Sequence, residues 1–138
     1  MTVNDVLNYD RIIRNIIDNV EEVNSLTKFK FLGMLKQFEP IVLNFNTIQN
    51  DKIKKYGTQN AQGELGVFVP NIDDYSNEDD YKNACSEFEA TIEKISDELN
   101  EVLESEVNLD IKKFKSDDVI DVGIPSDYLL AIYDLIEE

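Results

Sequence analysis

The sequence predicts a mainly α fold with some β structure: an elongated antiparallel three-helix bundle with a short C-terminal helix and a small two-stranded β patch. Three segments carry apolar residues at alternating steps of three and four, the spacing of an amphipathic helix. A stretch rich in turn-forming and β-prone residues separates the second segment from the third. A chain of 138 residues suits one core, so we predict a single helical domain over residues 1–138, with a β-hairpin or strand insertion around residues 58–75 and 107–114.

The first predicted helix covers about residues 3–24. Thr2 and Asp5 have the spacing of a capping box, in which each side chain accepts a hydrogen bond from the other residue's amide at the helix start. The apolar residues that follow are Val6, Tyr9, Ile13, Ile16, Val20 and Val23.

The second predicted helix covers about residues 28–56. Its apolar face consists of Phe31, Leu35, Phe38, Val42 and Phe45. Because proline lacks an amide proton and clashes with the preceding turn, Pro40 predicts a kink or short break near residues 37–40. Gly57 predicts a left-handed helix end.

Two β-prone runs flank the third helix. "LGVFV" at residues 65–69 and the alternating "VNLDIKKF" at residues 107–114 are predicted to pair. Their edge either accepts a strand from a partner or is protected by Lys112 and Lys113.

The third predicted helix runs to about Ser105, with Ser76 and Asp79 as its capping box. Its apolar stripe is Tyr81, Cys85, Phe88, Ile92, Ile95, Leu99 and Val102. One interpretation is that the stripe packs against the first two helices as core. The other is that the three helices and the small sheet leave an unpaired edge or face that a second copy of the chain covers; the two are not exclusive, so a homo-oligomer stays an open alternative. A short last helix follows, capped by Ser126.

Composition limits the chemistry. The net charge of −16 disfavours direct binding of nucleic acid. Residues 28–57 carry a net charge of +4 and residues 73–106 a net charge of −11, which favours packing of the second helix against the third. The absence of histidine excludes histidine-based catalysis, and the sequence contains no GxGxxG, GxxxxGK or CxxC motif, so we expect no enzymatic activity and no cofactor. No apolar run suits a membrane span or signal peptide, and the lone Cys85 suits a reducing compartment, so we expect a cytoplasmic protein.

Acidic residues are the candidate partner-binding residues. On the third helix and in the tail they are Glu87, Glu93, Asp97, Glu98, Glu101, Glu104, Asp117, Asp118 and Asp121. Rows of carboxylates can imitate nucleic-acid phosphates towards a nucleic-acid-binding protein, although most charged runs are solvated surface. The acidic run at residues 73–80 suits either helix capping or a cation, without the spacing of an EF-hand.

Four stretches carry a resemblance to a group of proteins: "KFKFLGMLKQF", "KKYGTQNAQGELGVFVPN", "VNLDIKKF" and "SDYLLAIYDLIEE". In their order and spacing the chain resembles small uncharacterised proteins encoded by tailed bacteriophages. The resemblance implies a viral origin, with action in the host cytoplasm or in the virion. It supplies no catalytic residues.

We therefore predict a non-enzymatic protein–protein interaction module, phage-encoded, that is a virion or assembly component or a host-directed binder. The alternative is an acidic, nucleic-acid-mimicking inhibitor of a host nuclease or defence complex. A carboxylate-dependent hydrolase would require carboxyl groups of raised pKa in a cleft.

Overall fold

The chain divides into two compact units. A computed structural model describes residues 1–120 and 123–137, and helices account for 67% of the structure. One unit, here unit 1, combines Met1–Leu43 with Glu104–Glu138, and the other, unit 2, is Asn44–Leu103. The predicted mainly α fold is confirmed.

The elements follow in chain order. The α-helices are α1 (Val3–Asn19), α2 (Ser25–Tyr56), α3 (Glu78–Leu103), α4 (Ser116–Val119) and α5 (Ser126–Ala131). Short 3₁₀ helices cover Ile72–Asp74 and Tyr133–Leu135. The strands are β1 (Thr58–Gln59), β2 (Leu65–Gly66), β3 (Phe114–Lys115) and β4 (Ile136–Glu137). β1 pairs with β2 in antiparallel orientation, and β3 pairs with β4 in parallel orientation.

The core of unit 1 is built from α1, the first half of α2 and the C-terminal segment. Its buried residues are Val6, Ile13, Ile16, Phe31, Met34, Leu35, Phe38, Phe114, Val119, Ile124, Ile132 and Leu135. The rings of Phe31 and Phe114 meet with their centroids 4.6 Å apart. The third component of this core is the C-terminal segment, whereas the sequence predicted α3 in that place. The three-helix bundle is therefore not confirmed.

Hydrogen bonds fix the first turn of α2 in unit 1. The Asn24 side chain accepts from the Thr27 amide at 2.9 Å. The Thr27 hydroxyl is buried and donates to the Asp118 carbonyl oxygen at 2.9 Å. Because Thr27 and Phe31 both face the core, one face of α2 is committed to the interior.

Unit 2 contains α3, the second half of α2 and the β1–β2 hairpin. On the predicted stripe of α3, Ile95 and Leu99 are buried, whereas Ile92 is exposed. Cys85 is a free, half-buried thiol. The predicted attraction between the two helices is present as an ion pair between Lys52 and Glu98 at 3.7 Å.

Several predicted boundaries move. The Thr2–Asp5 capping box is confirmed, but α1 ends at Asn19, five residues early. α3 is capped by Asn77, which forms a reciprocal pair with Asp80, and not by Ser76. Pro125, with no side-chain cap, precedes α5 where Ser126 was expected.

The short break predicted as one alternative at Pro40 is absent, and the left-handed helix end predicted at Gly57 is wrong. α2 continues through Pro40 without a break, because Phe38 is buried and Ile41 and Val42 pack on the same core on the other side of the proline. The φ angle of Gly57 is not positive. Glycine is required there because a Cβ would clash with the carbonyl oxygen of Ile53 and lie 2.7 Å from that of Gly66.

The predicted pairing of "LGVFV" with "VNLDIKKF" is wrong. A local turn gives β2 a nearer partner: the Asn60 side chain accepts from the amides of Gln62 and Glu64, and Gly63 has a φ of 76°. Closing this short loop costs less entropy than pairing distant segments. In the second run, residues 107–113 form no strand, and β3 starts only at Phe114.

We predict opposite results for two phenylalanines of α2. Phe31→Ala should lower the free energy of unfolding by about 3–5 kcal/mol, because it opens a cavity in the core. Phe29→Ala, at a site that is 73% exposed, should change it by less than about 0.5 kcal/mol. Urea unfolding of both variants checks this, and equal losses would contradict the assignment of faces.

Candidate interaction surfaces

An apolar ridge lies on the outer face of α2. Leu26, Phe29 and Leu32 are 63%, 73% and 48% exposed. Residues three apart on a helix are neighbours, so the three side chains form one continuous row. Single exposed apolar residues are common, but a continuous row is typical of a surface that contacts another protein. We call Leu26, Phe29 and Leu32 the α2 ridge.

A notch at Gly33 adjoins the ridge. Gly33 lies four residues after Phe29, on the same side of the helix. A Cβ built at Gly33 would meet no atom within 4 Å, and glycine inside a helix costs about 0.5–1 kcal/mol relative to alanine. Since nothing inside the fold requires a glycine here, the missing side chain leaves room for an external group.

A lysine-rich cleft opens on the other side of the notch. It has a volume of about 480 Å³, the size of a small-ligand pocket, and lies between α2 and residues 112–115. Its lining comprises Lys30, Gly33, Met34, Gln37, Lys112, Lys113, Phe114, Lys115, Asp118 and Glu137. We call this cavity the lysine cleft.

One acid in the cleft is already paired. Lys30 donates to Asp118 at 2.6 Å. This hydrogen bond and the charge of Lys30, with a smaller contribution from Lys115, lower the pKa of Asp118. Within the described residues, no ion pair involves Lys112, Lys113 or Lys115. The lining therefore keeps an excess of positive charge in a strongly acidic chain.

The predicted acidic residues fall into both units. Glu87, Glu93, Asp97, Glu98 and Glu101 lie on α3 in unit 2. Glu104, Asp117 and Asp118 lie in unit 1, and Asp121 falls outside the described residues. Glu93, Asp97 and Glu101 are exposed and four residues apart, so they share one face of α3. Their role in binding stays a prediction.

Glu98 is engaged within unit 2. It accepts a hydrogen bond from the Tyr56 hydroxyl at 2.8 Å, and this bond lowers the pKa of Glu98. Three lysines lower it further by their charge: Lys52, Lys55 and Lys94. The amino group of Lys94 also lies 4.9 Å from the centre of the Tyr56 ring. These contacts give Glu98 a structural role. Its pKa and that of Asp118 move down, which gives the hydrolase alternative no support.

Most contacts of the acidic run at residues 73–80 are hydrogen bonds that cap the starts of helices. The Asp73 amide donates to the Asn71 side chain, and Asp80 pairs with Asn77. Glu78 forms an ion pair with Lys82 at 3.2 Å. No cluster of three or more potential metal ligands occurs among residues 1–120 and 123–137.

Glu87 lines a separate cavity of unit 2. The space has about the same size as the lysine cleft, on the scale of a small-ligand pocket, and lies between the β1–β2 hairpin, the chain that follows it and α3. Its walls include the aromatic side chains of Tyr56, Phe68, Tyr75 and Phe88. Asp74 and Glu87 are the acids among its lining residues, without a lysine or arginine.

Sequence reasoning missed both the α2 ridge and the lysine cleft. The ridge had a visible signal, because Leu26, Phe29 and Leu32 recur at steps of three, offset from the stripe of Phe31 and Leu35. The cleft had none, since the lysines of residues 112–115 meet α2 only through the fold.

No helix in the described part of the chain has the length and apolar character that a membrane span requires. Comparison with known proteins matches the chain to no family model, no curated protein and no solved structure. The resemblance to phage proteins therefore stays a prediction.

We predict that Glu98→Gln changes the pH dependence of stability. A carboxyl group whose pKa is lowered on folding stabilises the fold above its ordinary value of 4.5, and the effect disappears as the pH falls through the lowered pKa. The variant should be less stable than the parent at pH 7, and the difference should shrink at pH 3. Urea unfolding at both values measures this. Glu101→Gln, at an exposed site on the same helix, is the control and should show no such trend.

We also predict opposite effects of alanine at two glycines. Gly33→Ala should raise the free energy of unfolding by about 0.5–1 kcal/mol, because alanine favours the helix and its Cβ meets no neighbour. Gly57→Ala should lower the free energy of unfolding, because its Cβ would overlap two carbonyl oxygens. Thermal unfolding checks both signs, and a destabilised Gly33→Ala would show that a neighbour fills the notch.

Proposed function

We propose that the chain is a non-enzymatic protein–protein interaction module, encoded by a phage, and that it binds its partner through the α2 ridge. It acts as a virion or assembly component or as a host-directed binder. The observation that carries the proposal is the continuous exposure of Leu26, Phe29 and Leu32 beside the notch at Gly33. The docking surface is thus the outer face of α2 and neither the α3 stripe nor a strand edge.

The geometry of the ridge favours a helical partner. Rows of side chains three apart pack into the grooves of another helix, and a glycine beside the row lets the two backbones approach closely. The partner segment therefore carries an apolar stripe of its own.

Charge argues against a second copy of α2 as that partner. In a symmetric antiparallel pair centred on Gly33, Lys36 of one copy would face Lys30 of the other. In a symmetric parallel pair, each lysine would face its own copy. Like charges at such positions are unfavourable. A different protein with negative charge beside its apolar stripe fits better.

Energetics indicate that the ridge is not the whole interface. Burying three large apolar side chains contributes about 1.5–3 kcal/mol each. Association costs about 4–15 kcal/mol in lost freedom of motion. The ridge can thus roughly offset this cost, and further contacts are needed for a stable complex.

An acidic inhibitor remains the second candidate. The observation in its favour is the row of exposed carboxylates Glu93, Asp97 and Glu101 on one face of α3, where like charges four residues apart destabilise the helix slightly. Such an inhibitor should compete with DNA for its target, and its affinity should fall steeply with salt. Binding that DNA does not displace would exclude it.

We predict that a photocrosslinker on the α2 ridge captures a partner protein. A benzophenone amino acid replaces Phe29 in the full chain, and the cells that make the protein naturally are irradiated. We expect one dominant adduct with another protein. The same amino acid in place of Val69, which is 76% exposed in unit 2, is the matched control and should give little of that adduct.

The adduct must also depend on the ridge. Leu26→Glu places a charge in the apolar row at an exposed site, so it should leave folding intact and reduce the adduct by about tenfold or more. An adduct that forms equally from position 69, or that persists in Leu26→Glu, would contradict the proposal.

A further inference from the structure

The lysine cleft adjoins the α2 ridge and shares Gly33 with it. A segment seated on the ridge would have its side chains within reach of the cleft, because Lys30 and Gly33 lie one and four residues after Phe29 on the same helix. The two surfaces therefore form one continuous docking area of unit 1, apolar along the ridge and positive in the cleft.

The chemistry of the cleft selects a negative group. Lys112, Lys113 and Lys115 are exposed at its wall, and Met34 and Phe114 supply buried apolar contacts beside them. An acid enclosed by several ammonium groups is stabilised in its charged form, and a methylene stem can pack on the apolar wall. A glutamate or aspartate side chain has both features.

We propose that the lysine cleft receives acidic side chains of the same partner helix that docks on the α2 ridge. This inference rests on the proposed function and deepens it, since it assigns the partner an apolar stripe flanked by glutamate or aspartate. The contacts in the cleft supply the binding energy that the ridge alone lacks.

Nucleic acid suits the cleft less well than an acidic helix. Asp118 and Glu137 lie in the lining and would repel a continuous row of phosphates. A long polyanion would also extend over a chain whose net charge is −16, whereas a short acidic segment meets mainly the local field of the lysines.

The test joins lysines directly to neighbouring carboxylates. The complex trapped at position 29 is treated with a water-soluble carbodiimide, which converts a carboxyl group into an O-acylisourea. A neighbouring lysine amine attacks its carbonyl carbon and forms an amide, and the carbodiimide leaves as the urea. Peptide mapping then identifies the acid joined to each lysine. The Lys30–Asp118 pair, at 2.6 Å, is the internal positive control for the reaction. Lys54, exposed in unit 2, is the negative control.

We expect amides between Lys112, Lys113 or Lys115 and glutamates or aspartates of the trapped partner. Isotopically labelled chain distinguishes acids of a second copy from acids of the same copy. Amides between these lysines and acids of a second copy would overturn the assignment in favour of self-association. The three lysines could instead form no such amides and be shielded from an amine-labelling reagent until a nuclease is added. That result would overturn the assignment in favour of nucleic acid. An adduct at position 29 with only the internal Lys30–Asp118 amide would overturn the cleft alone. Absence of any adduct at position 29 would overturn both the assignment of the cleft and the proposed function.

A second variant tests the notch without touching the charges. Gly33→Leu fills the space between ridge and cleft. Its melting temperature should not fall, because Gly33 is exposed, a Cβ there meets no neighbour, and leucine favours a helix more than glycine does. It should reduce the adduct at position 29 by about tenfold or more. Asn50→Leu, on an exposed site of the same helix in unit 2, is the matched control and should leave the adduct unchanged. An undiminished adduct in Gly33→Leu would overturn the proposed use of the cleft.

Discussion

The packing of the C-terminal segment on α2 is the contact on which the rest of unit 1 depends. The Phe114 ring packs against that of Phe31 with their planes tilted by 55°, and Val119, Ile132 and Leu135 complete a core that α1 and α2 alone leave open. Because this segment covers the inner face of α2, the helix presents its opposite face outward. The same packing brings Lys112, Lys113 and Lys115 beside α2, so one set of apolar contacts positions both the α2 ridge and the lysine cleft.

The first half of α2 is unusual because it is apolar on two faces. Thr27, Phe31 and Phe38 are buried, whereas Leu26, Phe29 and Leu32 remain exposed on the other side. A helix that needed only to cover one core would carry polar residues on its outer face. The α2 ridge departs from this rule, and no internal contact requires the glycine at position 33. These two features are the physical basis for proposing that α2 binds another protein.

Local signals in the sequence located the long helices but not all of their ends, since the caps predicted at Ser76 and Ser126 and the left-handed end at Gly57 were wrong. The one long-range strand pairing that was predicted was wrong as well. The Thr2–Asp5 capping box and the existence of three long helices are confirmed, because each depends on residues within a few positions of one another. Strand pairing failed because "LGVFV" and "VNLDIKKF" have the right alternation, but alternation does not specify a partner. α2 is unbroken at Pro40, because the packing of Phe38 and Ile41 outweighs the loss of one hydrogen bond, whereas the kink predicted as the other alternative stays a prediction. Two of the predicted acidic residues are engaged within the fold: Glu98 accepts a hydrogen bond from Tyr56, and Asp118 accepts one from Lys30. No sequence pattern shows such pairings.

The sequence by itself determined that this chain is mainly helical, strongly acidic and without histidine chemistry, because composition and the period of apolar residues report those properties directly. The apolar period also indicated the core-facing stripe of α2, since Phe31, Leu35 and Phe38 are buried as predicted. Only the tertiary structure decided what covers that stripe, and that the α2 ridge on the other face stays uncovered. Phe29 and Phe31 are two positions apart and chemically identical, and their different burial follows from where the C-terminal segment docks, some 80 residues along the chain. The lysine cleft depends on the same docking. Its residues come from distant parts of the chain, and a charge acquires a function in binding only when folding places other charges and an open space beside it.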